Sequence, residues 1–421
     1  MSLLPDRADV VVVGGGPAGA ATAISLRRQG IDVLVLDRAR FPRDKVCGDV
    51  LLPEARETLA ALGLDLTALA ARAYRCTGAR YIGPGTGQIA GAFRDEHGTP
   101  RPWWMIRRRD LDAWLLGEAR SAGAHVADGV AVNDVLRAPD GTVTGVHVKT
   151  HDGHQEIRAR LVVGADGASS VVARAVGAFA REPEHTCLAV RAYATGVALP
   201  DPYLEVFTTP RTLPGCAWIV PVAEDEVNVG LGVIQTTANR LSCTPQALFA
   251  ELRRDAPLLH ERLRHAGDIA LRGWTLPAAT EPRRLAGPGW LLVGDAGAMI
   301  DPFTGHGIQN ALAAGLVAGE SIAAALRTGA SASTDMTKAL SRYDARCRAM
   351  LGAEVTAGAR LQRVHANPLL VRAIAAAASR HAGLRATFVA LIGHAAPRHA
   401  LLSPAALARA ATTFRIQGAA A

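Results

Sequence analysis

Three glycines and an acid define the first chemistry this chain can do. Gly14, Gly16 and Gly19 fall at G-x-G-x-x-G spacing around Ala18, and Asp37 follows Gly14 by 23 positions. At a strand-to-helix junction the first glycine allows the tight turn and the second lets backbone approach a pyrophosphate. The third lets the helix close on the strand. Asp37, with Arg38 beside it, is then placed to accept hydrogen bonds from the hydroxyls of an adenosine ribose. Two further acid and glycine pairs, Asp166-Gly167 and Gly294-Asp295, each end a short apolar run. Beyond them, Gly305-His306-Gly307-Ile308 offers backbone amides at the start of a long small-residue helix. Cys47 stands apart, in a segment that also holds Arg43, Lys45, Gly48 and Asp49. Cations lower a thiol pKa, although a free cysteine also serves as a small buried hydrophobe.

The elements around these residues must position them. Val10 to Val13 is a β-branched run too short for a helix, Pro17 suits a first helical turn, and Gly30 ends that helix. Val33 to Leu36 then makes a second strand that delivers Asp37. Residues 126–163 alternate apolar and polar about an Asp140-Gly141 turn and predict a three-stranded antiparallel meander. The meander leads into the strand before Asp166, and Trp290 to Val293 precedes Gly294. Asp110 is expected to cap a helix carrying Leu111, Trp114, Leu115 and Ala119, with Arg107, Arg108 and Arg109 at its mouth. Short strands are expected over 74–94, broken by Gly83, Pro84, Gly85 and Gly87, and a larger block over 186–235. A helical stretch covers 245–265, and the chain after 335 is Ala-rich and helical with breaks at Pro368, Pro397 and Pro404. Ligands bind at the carboxyl ends of strands in open α/β sheets, so the three acid and glycine turns must converge there. A nicotinamide needs only the first; the other two imply a cofactor extended through the domain, FAD.

Composition sets outer limits. The 421 residues, 49% of them apolar, allow two or three domains with substantial cores. A net charge of +8 suits anionic cofactors, membrane surfaces or acidic partners. The arginines are scattered without interleaved aromatics, so a nucleic-acid surface is not expected. Six cysteines lack C-x-x-C or paired histidine spacing, which argues against zinc, any other metal site or a disulfide framework. The first strand begins almost at once and no apolar run approaches about 18 residues, so no leader or spanning helix is expected. A cytoplasmic monomer or dimer is the expectation.

Taken together the motifs resemble the FAD-dependent superfamily of single-component flavin monooxygenases, flavin halogenases and geranylgeranyl reductases, over roughly residues 8–330. The resemblance implies an α/β fold. It has a Rossmann-type FAD-binding domain of the glutathione-reductase and p-hydroxybenzoate-hydroxylase kind, an interleaved β-sheet substrate domain and a helical C-terminal extension. The FAD domain is assigned 1–75, 100–185 and 270–345, the substrate domain 76–99 and 186–269, and the extension 346–421. Carried over, Gly14, Gly16, Ala18, Gly19, Asp37 and Arg38 look like the ADP site, with Arg43, Gly48 and Arg108 near the ribose and pyrophosphate. Asp166 and Gly167 look like the Asp-Gly motif, and Asp295 like the acid that holds the ribityl chain. Gly305, His306, Gly307 and Ile308 look like the loop that faces the flavin pyrimidine.

FPRDKVCGDVLLP and LPGCAWIVPVAEDEVNVGLG are most similar to geranylgeranyl and menaquinone-chain reductases. That likeness puts Cys47 near the flavin, as proton donor or substrate contact, and Trp218, Pro221 and Cys216 in the substrate pocket. Two departures touch the substrate side: Cys216 where an aromatic is usual, and DPFTGHGI where the reductases tend to read Asn-Pro and Gly-Glu-Gly-Ile. On those departures the leading expectation is monooxygenation of a bulky aromatic or unsaturated substrate, through a flavin hydroperoxide formed with O2. The alternative is reduction of C=C bonds in an isoprenoid or other hydrophobic substrate, and a third reading is a non-catalytic flavoprotein. Halogenation is not expected, because no lysine stands between 45 and 149. No second glycine fingerprint exists, so electrons are expected from NAD(P)H docking transiently or from a partner flavin reductase. The substrate is a small molecule, free or bound to a carrier or protein, and peripheral membrane contact is compatible with the helices after 335.

Overall fold

A strand buried on both faces needs covering layers above and below, and the valine run meets that condition: Val10, Val11 and Val12 are fully buried. The structure, a computed structural model, describes residues 4–83, 88–95, 97–150, 153–280, 283–327, 333–395, 397–403 and 405. Pro84, Gly85, Gly87 and Pro404 lie outside the described residues. The strand Arg7–Val13 pairs in parallel with Val33–Asp37 and Gly153–Gly164, and Gly153–Gly164 pairs in parallel with Trp290–Leu292. His125–Asp128 and Ala286–Gly287 flank the sheet. Register sets Val13 level with Leu36 and Gly164, and Gly164 level with Leu292. Gly14, Asp37, Ala165 and Val293 therefore follow in one row along the carboxyl edge. The meander is Ala131–Arg137, Val143–Thr150 and Gly153–Gly164, and Gly153–Gly164 runs on into the parallel sheet.

Two helices cover one face of this sheet. Pro17–Arg27 and Ile308–Arg327 pack closely enough for the Ser25 hydroxyl to donate to the Leu316 carbonyl at 3.3 Å. The second sheet has seven strands, in the order Arg272–Pro277, Thr186–Thr195, Glu226–Ile234, Cys216–Pro221, Tyr203–Phe207, Gly78–Ile82, Gln88–Ala92. The expected boundary at 270 thus moves: Arg272–Pro277 joins the second sheet because it pairs antiparallel with Thr186–Thr195. A small third sheet joins Val50–Leu51, Trp103–Met105 and Tyr74–Cys76 between the two. The helical extension starts earlier than residue 346, since one helix, Ser333–His365, runs through that position. Pro368–Arg380, Ala382–Gly393 and Arg398–Leu401 complete it.

One local expectation fails. The helix Arg108–Ser121 is not capped by Asp110, which lies in its first turn. Its Arg108 amide donates instead to Asp49 Oδ1 at 3.1 Å, an acceptor 59 positions away. A distant carboxylate does here what a local cap usually does.

Candidate active site

At the carboxyl edge the glycines are used for closeness. Gly14 has φ +107°, and a Cβ there would lie 2.3 Å from the Ala165 carbonyl oxygen; one at Gly19 would lie 1.9 Å from that of Gly14. Asp37 Oδ2 accepts from the Gly15 amide at 2.7 Å and Oδ1 from the Ala39 amide at 2.8 Å. It therefore fixes the turn, with lone pairs left for a ribose. Arg38 is exposed and reaches no partner among the described residues, whereas Ala18 and Gly19 are buried in the helix start. Arg43 arches over the turn. Its Nη2 would be 3.6 Å from a Cβ on Gly16 and is 4.0 Å from Asp37 Oδ2.

Arg43 Nη1 lies 3.0 Å from Asp112 Oδ2 but out of hydrogen-bond line, a buried donor without a partner. Asp112 is already engaged, because Arg108 grips both its oxygens at 2.7 Å. Two guanidinium groups thus lean on one carboxylate beside a helix N-terminus, which leaves positive potential where a pyrophosphate would lie. The cradle, the spare donor and the charge fit FAD. Arg108, expected at the ribose and pyrophosphate, spends its fork on Asp112 instead and also faces the Cys47 thiol. Burial alone would lower its pKa, but Asp112 and Cys47 outweigh burial and raise it.

The other two acids do different work. Asp166 accepts from the Ser170 hydroxyl at 2.5 Å and the Val171 amide at 2.6 Å, so its carboxylate is an internal cap. Burial raises its pKa against those bonds. What faces the groove is Gly167, which has no heavy atom within 4 Å of a Cβ position. Asp295 pairs with Lys45 Nζ at 3.0 Å, and a Cβ on Gly307 would sit 3.6 Å from its Oδ1. Lys45 in turn lies over the Trp274 ring. The acid, the lysine and the Gly305-to-Ile308 loop therefore meet at one place.

Cys47 is half-buried at the seam between the sheets, and the segment carrying it is fastened from the second sheet. Asn228 Nδ2 donates to the Cys47 carbonyl at 2.7 Å and to Asp49 Oδ2 at 2.8 Å, while its Oδ1 accepts from Trp218 Nε1 at 2.9 Å. The Tyr193 hydroxyl donates to Asp49 Oδ2 at 2.6 Å. Arg191 Nη2 donates to Asp44 Oδ1 and to the Lys45 carbonyl, both at 2.7 Å. Burial pushes Asp49 upward against these donors, and burial together with Asp49 pushes Tyr193 up. Trp218, expected as a pocket wall, is thereby joined to Cys47 through one amide. Pro221 ends the same strand, buried; Cys216 begins it, its thiol pushed up to about 11 by burial.

Asn228, Tyr193, Arg191 and Asp112 were not among the expected site residues. The one signal for Asn228 is its type: an amide at an otherwise apolar position of VNVGLGV. A cavity of about 330 Å³ opens beside this seam, lined by Ser169, Leu188, Val190, Gln246 and Trp274.

The loop of His306 is held from the C-terminal helices. Asp301 pairs with the buried Arg398 guanidinium, which also contacts His394 Nε2 at 3.0 Å. Trp103, His306 and His394 cluster, with ring centroids 5.3 Å apart for Trp103 and His306 and 5.5 Å for the two histidines. Burial pulls His306 down to about 4 and His394 to about 3. The Asp where the reductases tend to have Asn thus has a partner in Arg398.

Comparison with known proteins agrees with this geometry. The FAD binding domain family model matches residues 7–357. The menaquinone reductase of Mycolicibacterium smegmatis is 35% identical over 328 residues, 75% of this chain and 76% of that protein. The digeranylgeranylglycerophospholipid reductase 2 of Methanopyrus kandleri is 31% identical over 328 residues, 76% of this chain and 77% of that protein. The chain belongs to the geranylgeranyl reductase family of FAD-binding proteins. This flavoprotein shares its fold with a geranylgeranyl bacteriochlorophyll reductase-like protein of Thermoplasma acidophilum. The TM-score is 0.77 at 22% identity, covering 98% of this chain and 97% of that one. It is an FAD-dependent oxidoreductase, and the relatives named here are reductases, so the comparisons support the C=C-reduction alternative better than oxygen insertion. Among the described residues no helix of the flavoprotein is long and apolar enough to cross a membrane.

Proposed function

We propose that the flavoprotein reduces C=C bonds in an isoprenoid or similar hydrophobic substrate. The observation that carries the reading is the fastening of the Cys47 carbonyl to Asn228 Nδ2 at 2.7 Å, with Trp218 Nε1 donating to the same amide from the substrate sheet. The names and identities of the reductase relatives support it. Bound and reduced, FAD supplies a hydride for one alkene carbon. The chain's part is the proton: the Cys47 thiol gives it to the other carbon, and Arg108 stabilises the thiolate that remains until water reprotonates it. Asn228, itself bonded to Asp49, holds the Cys47 carbonyl so that the thiol keeps its distance to the substrate. Trp218 fixes the rotation of the Asn228 amide.

The test is turnover of the FAD-loaded protein, reduced by dithionite under anaerobic conditions, with a polyprenyl quinone or polyprenyl glycerolipid. The expected product gains two hydrogens per double bond, and Cys47→Ser slows it strongly while leaving bound flavin unchanged. Replacing dithionite by NADH, NADPH or a flavin reductase identifies the electron source. A product that carries oxygen from labelled dioxygen, with no anaerobic turnover, would restore the monooxygenase reading.

A further inference from the structure

The charge of the chain is distributed unevenly. Residues 355–421 contain eight arginines and neither Asp nor Glu, so they hold the whole formal excess of +8, while residues 1–354 balance. Within the same region lie the four large apolar side chains that stand exposed among the described residues: Val364 at 37%, Leu369 at 74%, Leu370 at 45% and Ile374 at 43%.

The helix Pro368–Arg380 explains how they come to face outward. Val371, Ala375 and Ala378, spaced i, i+4, i+7, are buried against the protein. Leu369 and Ala373 fall on the opposite side and Leu370 and Ile374 on the adjoining flank, each pair spaced i, i+4, and all four are exposed. Exposed arginines border this face: Arg360 and Arg363 on the preceding helix, Arg372 on the flank and Arg380 at the last turn. None of the four makes an ion pair among the described residues. A ring of unpaired cations around a contiguous apolar face matches the chemistry of an anionic lipid surface, acyl chains beneath phosphate headgroups. It opposes a second copy, which would bring the two most positive faces together.

We propose that Val364 to Ile374 is the docking face of the flavoprotein for an anionic bilayer, with the helix Pro368–Arg380 lying in the interface plane. The inference stands on charge and exposure and is independent of which reaction the flavin site performs.

The FAD-loaded full chain should co-float with phosphatidylglycerol-containing vesicles and stay unbound with pure phosphatidylcholine. Raising salt from low to molar concentration should release it. Leu369→Ser with Leu370→Ser and Ile374→Ser should reduce binding at least tenfold, and Arg363→Gln with Arg372→Gln and Arg380→Gln should do the same while flavin content stays at the parent level. Wild-type protein that ignores both vesicle types would overturn the proposal, as would vesicle binding that both triple variants retain. So would a wild-type dimer in sedimentation that the serine variant turns into a monomer, since a second copy would then be the occupant.

Discussion

The two halves of the candidate groove are built by different means. The edge of the parallel sheet is made of backbone: Gly14 touches Ala165, Gly19 touches Gly14, and the ends of four strands stand in register. The seam is made of side chains that arrive from elsewhere: Asn228, Tyr193 and Arg191 onto residues 44–49, and Arg398 onto the Asp301 loop. Backbone contacts demand particular residue types within a short window. Side-chain tethers demand only that two distant positions be complementary, so they are free to differ between relatives. The flavin-binding half is therefore written in short glycine and acid motifs, whereas the tethers of the other half join positions far apart in the chain.

The contrast is testable, and the largest effect is expected on the backbone side. Gly14→Val should abolish flavin binding: the positive φ alone costs about 1–3 kcal/mol, and the clash with Ala165 adds to it. Flavin absorbance of the purified variant reads this, and a folded variant with full FAD content would break the comparison. Next, Asp301→Asn should cost about 3–5 kcal/mol of stability by leaving the buried Arg398 charge without its partner. A second change, Arg398→Met, should recover part of the loss in denaturant midpoint; no recovery would mean that the pair is not the clamp.

Smaller effects sharpen the seam. Asn228→Ala leaves the buried Asp49 carboxylate and the Cys47 carbonyl each short of a donor, a cost of about 1–3 kcal/mol. Turnover should fall about tenfold to a hundredfold through misplacement of Cys47, with FAD content unchanged. Trp218→Phe keeps an aromatic ring but removes the donor to Asn228 together with part of the indole volume, and its loss should be about tenfold or less. If Trp218→Phe proves worse than Asn228→Ala, the indole acts directly on substrate instead of through the amide.

A separate effect is one of pH. The pKa of His306 is lowered by burial from 6.5 to about 4, so the unfolded chain takes up a proton in that window that the folded chain refuses. This stability is fully present above pH 6.5 and is lost as pH falls toward about 4. His394, lowered to about 3 by burial and by its neighbour His306, extends the same loss further into acid. Thermal melts of His306→Gln should show a flatter pH dependence than the parent between those limits. An unchanged slope would place the acid sensitivity elsewhere.

Residues close in sequence were read correctly because their geometry follows from short-range sterics. The strand, glycine turn, helix and second strand over 8–37, the meander with its Asp140-Gly141 turn, and the strand ends before Asp166 and Asp295 all belong to this class. Asp110 does not cap its helix, because the acceptor for the first amide, Asp49, is remote in sequence. Arg108 and Asp166 gain partners that the local sequence does not show. Arg108 grips Asp112, and Asp166 takes the Ser170 hydroxyl and the Val171 amide.

By itself the sequence determined where backbone must come close, which acids end strands, and that the chain carries an FAD-binding domain. Only the tertiary structure decided which distant groups close on one another: Asn228 on the Cys47 carbonyl, Trp218 on Asn228, Arg191 on Asp44, Asp301 with Arg398. The reason is physical. A glycine's missing Cβ is written into the local chain, whereas a hydrogen bond across 181 positions, such as that from Asn228 to Cys47, exists only once two sheets have packed.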